Sequence, residues 1–314
     1  MNLRALRMFV ATAEAGGLGR ASSRLHLSQP AASRQLHALE EELGVALFHR
    51  SGRKLQLTAD GTDLLRQSHQ LLAAADLLVD RARALKGGRT GTLKVAATPH
   101  VIDGVLAPFL RGHHSRHPGV EIQLVEGGAT QHADRLNKGQ VQLAIMPCGD
   151  ERFDGRLLYP VYTVAVFPDT HRLGKRAVVD IAELADESIL LLHREFGSRR
   201  WFDAACEIAQ VRPRVRLESA APQTLVELAA VGYGVAVVPS TVVIRCEGVR
   251  VVPLVQGKSS LGRWSMLAWD PRRLLPEYAR QFVEEFVAHS RRGYPGKAFT
   301  RRAPALPRPK RPTD

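Results

Sequence analysis

The sequence predicts an α/β chain laid out in three stretches, on three observations. Residues 1–60 carry short amphipathic helical patterns and one basic hairpin, residues 58–86 keep an apolar seam at heptad spacing, and from residue 91 strand-length apolar runs alternate with helical patterns. At 314 residues with 45% apolar side chains, the chain is long enough for two or three cores.

The first stretch is organised around residues 28–43. Ala32, Leu36, Leu39 and Leu43 recur at helical spacing and form a buried stripe, while Gln29, Ser33, Arg34 and His37 lie on the opposite face. Ser28 is placed as N-cap and Pro30 falls in the first turn, where a missing N–H costs nothing. Ahead of it, Leu3, Leu6, Val10 and Ala13 mark one helix, and Ala21 with Leu25 a second, joined onward by His26-Leu27. Two short helices joined by a tight turn, with the second presenting its N-terminal side chains, is helix-turn-helix geometry; Gln29, Pro30, Ser33, Arg34 and His37 are then the residues that meet base edges and phosphates.

An ordinary three-helix bundle with a solvated face would show the same periodicity, but residues 44–57 weigh against it. Gly44 ends the helix, and Arg50, Arg53 and Lys54 surround Ser51-Gly52 between apolar Phe48, Leu55 and Leu57. A basic hairpin in that position is a wing, with its cations on phosphates or in the minor groove of double-stranded DNA.

Here the sequence resembles a known family. Ser28-Gln29-Pro30-Ala31-Ala32-Ser33, Leu39-Glu40, Leu43-Gly44, Leu47-Phe48-His49-Arg50 and Thr58-Ala59-Asp60-Gly61 are similar, in order and spacing over about sixty residues, to the N-terminal winged helix-turn-helix of LysR-type transcriptional regulators. The departure is Gly17-Leu18-Gly19-Arg20-Ala21-Ser22, where the family has a serine and two small apolar residues; Gly19 should soften the second helix without changing the fold.

Thr58 is placed to cap a long helix, with Asp60 in its favourable first turn. Leu64, Ser68, Leu71, Ala75, Leu78, Ala82 and Leu85 alternate steps of four and three along it. A helix over 58–86 would be about 43 Å long, and its seam, with Leu64, Leu71, Leu78 and Leu85 at alternate positions, requires a partner helix. The resemblance implies the same: the linker helix pairs two chains in a homodimer or homotetramer, so that two recognition helices read the halves of an interrupted palindrome.

Gly87-Gly88-Arg89-Thr90-Gly91-Thr92 reads as a hinge at the entrance to residues 91–292. Strands are expected at Leu93 to Ala97, Val120 to Val125, Val141 to Met146, Leu157 to Phe167, Ser188 to Leu192, Val215 to Leu217, Val235 to Val238, Val249 to Leu254 and Arg263 to Trp269. Helices are expected between them, with a last one over Leu275 to Ser290. Alternation of this kind implies parallel strands with crossover helices, here in two lobes, about 91–160 with 269–292 and about 161–268, forming a clamshell. This region resembles the effector-binding domain of the same regulators, itself similar to type 2 periplasmic binding proteins; Glu218, Thr224-Leu225-Val226 and Val231 to Pro239 carry the likeness most specifically.

In a clamshell the ligand lies where strands end and helices begin, and free helix N–H groups suit an anion. The effector candidates are Thr98, Pro99, His100, Thr130 and Gln131 from one lobe and His193, Phe196, Ser198 and Thr224 from the other. Thr98 and Thr130 sit where the family contacts effectors; the rest are placed by topology. Simple helix capping explains Thr98, Thr130 and Thr224 equally well.

Other chemistries find little support. Cys148, Cys206 and Cys246 are far apart, which fits a reduced cytoplasmic protein without disulfides or a thiolate metal site. His113, His114 and His117 include an i, i+4 pair but no visible further ligand, so no metal and no cofactor are expected. There is no Gly-x-Ser-x-Gly, His-Glu-x-x-His or phosphate loop, so the chain is not expected to be an enzyme, and no segment approaches a membrane span.

The net charge of +13 is misleading as a DNA signature: residues 1–60 hold eight basic and five acidic side chains, whereas residues 291–314 hold eight basic and one acidic. Five prolines fall in that same tail, and 293–314 is expected to be disordered. The reading is a DNA-binding regulator that answers a small, anionic effector and works with RNA polymerase. The alternative is an architectural DNA binder whose C-terminal region only oligomerises.

Overall fold

The computed structural model describes residues 2–51, 54–85 and 91–309, without side chains for 50, 51, 54, 77, 80, 81 and 83–85. Arg53 and hinge residues 87–90 lie outside the described residues, as do the side chains of Arg50, Lys54 and Leu85. The chain divides into two compact units, residues 1–86 with 138–140, and the remainder from residue 87.

In the first unit, α1 (Leu3–Ala15), α2 (Leu18–Arg24) and α3 (Gln29–Leu43) precede the antiparallel pair β1 (Phe48–Ser51) and β2 (Lys54–Leu57) and the long α4 (Ala59–Leu85). Asn2 caps α1 by accepting from the Ala5 N–H at 2.8 Å. Helix α2 forms despite Gly19, whose carbonyl accepts from the Ser22 and Ser23 hydroxyls. The turn into α3 passes through His26 in the left-handed region at φ +54°. Ala11, Ala21 and Ala32 meet with Met8 where the three helices cross, and their short side chains permit the close approach. A second cluster of Leu6, Phe9, Leu36, Leu39 and Leu47 seats the wing and the start of α4.

Leu64, the first residue of the expected dimer seam, is half-buried and packs against this second cluster, together with Leu65 and Leu72. Its turn of α4 lies against the winged domain, which periodicity alone does not reveal. Farther along, Leu71, Leu78 and Val79 are exposed, Leu78 at 70%, and form an uncovered apolar stripe.

The second unit contains β3 (Gly91–Ala97), a helical run made of α5 (Pro99–Val101), a π turn (Ile102–Leu106) and α6 (Ala107–Arg116), then β4 (Val120–Glu126), α7 (Ala129–Lys138), β5 (Leu143–Pro147) and β6 (Asp154–Pro168). There follow β7 (Val179–Asp180), β8 (Ser188–Leu192), α8 (Gly197–Ile208), β9 (Arg214–Ser219), α9 (Pro222–Ala230), β10 (Val235–Pro239), β11 (Val249–Gln256), β12 (Ser259–Ser260), β13 (Gly262–Trp269) and α10 (Glu277–Arg292). The strands run in the order β4-β3-β5-β13-β6-β10-β8-β9, with β11 also paired to β6.

Strand β6 is what makes two lobes of one sheet. Its first half pairs with β13 and its second half with β10 and β11, all antiparallel, while β4-β3-β5 and β9-β8-β10 are the parallel sets on either side. Helices α6 and α10 cover one face of lobe 1 through Phe109, Phe282 and Phe286, whose rings meet edge to face at 5.1 and 5.2 Å. In lobe 2, α8 covers one face and α9 the other.

The expected disorder of 293–314 does not hold for the described part, 293–309. Lys297–Arg301 form a 3₁₀ turn, Phe299 and Ala303 pack on the α9 face of lobe 2, and Leu306 is buried at 6% exposure. The tail's overall composition is that of a disordered segment, but three apolar side chains at useful intervals find an open apolar face. Residues 310–314 lie outside the described residues.

Candidate functional site

Two sites emerge, one in each unit. In the first, Ser28 caps α3 by accepting from the Ala31 N–H at 3.4 Å, and Pro30 occupies the first turn. Ala32, Leu36 and Leu39 are buried, Leu43 is half-buried, and Gln29, Pro30, Ser33, Arg34 and His37 are all exposed on the other side. His37 stands 3.4 Å from Glu41 one turn on, a contact that is ionic only when the imidazole is protonated.

A feature not read from the sequence fixes the wing to this helix. The Glu40 carboxylate accepts from the Leu47 and Phe48 N–H groups at 2.8 and 3.2 Å, satisfying the backbone where the chain leaves α3 and enters β1. Thr58 closes the same junction: its hydroxyl donates to the Ala46 carbonyl at 2.7 Å and accepts from the Gly61 N–H at 2.8 Å as cap of α4. A side chain at Gly61 would fall on the Leu47 carbonyl, which explains glycine there.

The second site lies between the lobes of the second unit. A narrow inner cavity of about 60 Å³ is lined from lobe 1 by Thr98, His100, Ala129, Met146 and Pro147, and from lobe 2 by Phe196, Ser198, Trp201, Pro239 and Thr241, with Arg263, Trp264 and Ser265 of β13 completing the wall. Ala129, Met146, Pro147, Trp201 and Arg263 also border a wider outer recess of about 860 Å³, which Thr130, Arg152 and Arg200 line.

Four expected residues thus line the inner cavity, Thr98, His100, Phe196 and Ser198, and Thr130 reaches the outer recess. The other four do not line either. Pro99 serves as the first residue of α5, and the Gln131 side chain turns back to accept from the Gly128 N–H at 3.3 Å. His193 and Thr224 are exposed, His193 past the end of β8 and Thr224 in the first turn of α9. The residues missed were Trp201, one turn into α8, Thr241, and the β13 group; a strand that crosses between lobes must pass the cleft, and that was the available signal.

The charged and polar groups around the two spaces are unevenly engaged. Helix α8 starts at the cavity with no side chain capping its first N–H groups, which leaves them available to a ligand at that end of the helix. Arg200 and Arg263 border the outer recess, whereas Arg152 is held by Asp150 through bonds of 2.9 and 2.6 Å. Thr98 and His100 are hydrogen-bonded to each other at 3.1 Å. Protein packed around the His100 ring pushes its pKa down to about 4, with nearby His132 adding to the effect, so His100 is neutral at pH 7.

Gly128 marks how closely the lobes approach: a Cβ there would lie 2.6 Å from the Glu195 carbonyl. Arg245 of lobe 2 makes a double contact of 2.6 and 2.7 Å with Asp103 of lobe 1.

The histidine cluster and Cys206 gain neighbours in three dimensions. His113 and His117 are joined by Glu285 of α10 within 4.8 Å, a third metal-competent group invisible to local spacing. Arg116 already donates to that carboxylate at 2.7 Å, and the four side chains form a hydrogen-bonded tie between the end of α6 and α10. Burial alone would raise the Glu285 pKa, but bonds from Arg116, His117 and His113 bring it down to about 2. Cys206 is buried in lobe 2, and burial with the nearby Asp203 charge pushes its thiol up to about 11, far from the thiolate a redox sensor needs.

Comparison with known proteins matches this division. Residues 3–62 match the family model described as bacterial regulatory helix-turn-helix protein, lysR family, and residues 86–291 match the LysR substrate binding domain. The chain is 33% identical to the HTH-type transcriptional regulator IlvR of Caulobacter vibrioides over 264 residues, which covers 81% of this chain and 88% of IlvR. It is 32% identical to ClcR of Pseudomonas putida, over 77% of this chain and 84% of that regulator. Among solved structures, a variant of full-length OxyR from Pseudomonas aeruginosa aligns with a TM-score of 0.67 at 26% identity, covering 94% of this chain and 99% of that one. Full-length CbnR complexed with its target DNA aligns at 0.61 and 25% identity, covering 93% and 99%. These relatives are named as transcriptional regulators and none as an enzyme, and no helix among the described residues is long and apolar enough to cross a membrane. A winged helix-turn-helix ahead of a two-lobed ligand-binding domain, matched over both parts, makes this chain a member of the LysR family of DNA-binding transcriptional regulators.

Proposed function

We propose that this regulator reads an interrupted palindrome with paired α3 helices and is controlled by a small anionic metabolite held between the two lobes. The observation that carries the proposal is the exposed face of α3: Gln29, Ser33, Arg34 and His37 project together from a helix whose opposite side is buried. Pairing through α4 is supported by the exposed stripe of Leu71, Leu78 and Val79, which a second copy of α4 would cover. An anionic effector is supported by the uncapped start of α8 and by Arg200 and Arg263. Ligand would close the lobes and change the spacing of the paired heads, in a homodimer or homotetramer that acts in the cytoplasm with RNA polymerase.

The Arg34→Ala variant tests the docking of α3. An exposed arginine on the reading face that contacts a base should contribute about 1–3 kcal/mol of discrimination. The variant should therefore lose about tenfold or more in preference for its best site over random DNA, measured by competition binding at fixed salt. Equal discrimination by Arg34→Ala and wild type would mean that another face of the domain reads the sequence.

A further inference from the structure

The segment after α10 lies beyond the family match, which ends at residue 291, yet it reaches the wall of the ligand cavity. The chain leaves lobe 1 with Tyr294 stacked on Tyr159 at 4.5 Å, turns at Gly296 in the left-handed region at φ +86°, and lays Phe299, Ala303 and Leu306 on lobe 2. Beside Leu306 runs the start of β13. Gly262 has φ +153°, and a Cβ there would fall on the Val161 carbonyl of β6 and meet the Leu306 side chain at 3.0 Å, so Leu306 packs close against this glycine.

Two residues on is Trp264, one of the residues that line the cavity. Its Nε1–H donates to the Leu306 carbonyl at 3.3 Å, and the Arg308 guanidinium lies 5.9 Å from the ring centroid. The Ser260 hydroxyl donates to the Pro304 carbonyl at 2.7 Å, fixing the same stretch of tail just before β13. Trp264 also stands at an irregularity: the pairing of β13 with β6 shifts register between Trp264 and Met266, so the strand ladder alone holds this residue less regularly than its neighbours.

We propose that residues 303–309 form a strap that positions Trp264, with Leu306 and Arg308 as positioning residues for the cavity wall. A partly buried indole N–H needs an acceptor, and among the described residues the one it has comes from the strap. Without the strap the indole loses its acceptor, and without the Leu306 side chain, which packs beside Gly262, the backbone carbonyl that accepts from the indole loses its seat. The strap thereby sets the shape that a ligand meets, in a segment that the matched family domain does not include. The meaning for regulation rests on the cavity being the effector site, but the positioning of Trp264 does not.

The test is ¹⁹F NMR of the full protein labelled with 5-fluorotryptophan, which gives one resonance for each of Trp201, Trp264 and Trp269, with Trp264→Phe to assign the signal. Two variants are compared at a temperature well below unfolding: a chain ending at Arg302, and Leu306→Ala, which keeps the tail. Both should shift or split the Trp264 resonance while Trp201 and Trp269 stay in place, and acrylamide should quench Trp264 more strongly in both. An unchanged Trp264 resonance in the two variants would overturn the proposal. So would movement of all three resonances together in Leu306→Ala, since that assigns the tail a general stabilising role. The readout reports the indole whether or not a metabolite enters the cavity, so a failed strap leaves the effector reading standing, and a cavity that takes no ligand leaves the strap standing.

Discussion

Replacing Gly61 by alanine should unfold the DNA-binding unit and abolish DNA affinity while the ligand-binding unit stays folded. The added methyl would fall on the Leu47 carbonyl and 3.1 Å from the Thr58 hydroxyl. Neither neighbour is free to move. Leu47 is fully buried, its N–H is held by Glu40, and its carbonyl accepts from the Thr58 N–H at 3.0 Å; the Thr58 hydroxyl is the cap of α4. Overpacking at a rigid junction costs about 1–3 kcal/mol or more, and a domain of this size has little stability in reserve. Limited proteolysis should cut the variant within residues 2–85 and leave a resistant fragment from about residue 91. Gly19→Ala is the matched control: a Cβ there meets nothing, and alanine should stabilise α2 by about 0.5–1 kcal/mol. Wild-type stability and DNA affinity in Gly61→Ala would show that the junction is looser than described.

The second large effect is expected in acid. His132 is completely buried in α7 with neither ring nitrogen hydrogen-bonded, and burial, with the Arg135 charge adding, pushes its pKa down to about 4. His100, whose ring is hydrogen-bonded to Thr98, is likewise pushed down to about 4, mainly by burial. In the unfolded chain both return to about 6.5. Between these values the unfolded state binds more protons, so stability is complete above about pH 6.5 and falls as the pH drops toward 4. Each histidine accounts for on the order of 3 kcal/mol over that window, because one pKa unit is about 1.4 kcal/mol. Glu285 contributes later and with the other protonation partner: its ties to Arg116, His113 and His117 are retained above about pH 4.5 and lost as the pH falls toward 2. Urea unfolding followed by tryptophan fluorescence should show a steep loss between pH 6.5 and 4. His132→Leu, which removes a titrating group that has no partner to lose, should flatten that slope by about half. An unaltered slope would place the acid sensitivity elsewhere.

Much of this architecture was legible because each signal was local. Ser28 and Gly44 bound α3, the apolar stripe of Ala32, Leu36 and Leu39 sets its buried face, and Ser188–Leu192 is a strand as its five-residue apolar run indicates. What escaped depended on contacts distant in sequence. Leu64 obeys the same heptad spacing as Leu71 and Leu78, yet only the folded winged domain shows that Leu64 also packs within its own chain while the other two are exposed. Glu40 looks like any exposed helix acid until the wing returns to it. The tail has the composition of a disordered segment, but Phe299, Ala303 and Leu306 match an apolar face built from residues distant in sequence, among them Tyr162, Val238 and Val251. In the cavity, the helix starts were predictable in kind but not in detail: Thr98 and Ser198 face the ligand space, while Gln131 and Thr224, chosen by the same rule, do not.

The function proposed for this chain depends first on paired α3 helices reading a defined DNA sequence. The decisive measurement is to incubate the purified protein with sheared DNA of its own organism at moderate salt and to sequence the fragments that remain bound. A small number of sites should be recovered that share an interrupted palindrome with half-sites about one helical turn apart, or a multiple of it. Uniform recovery without a shared motif would contradict paired reading, because binding would then be carried by charge alone.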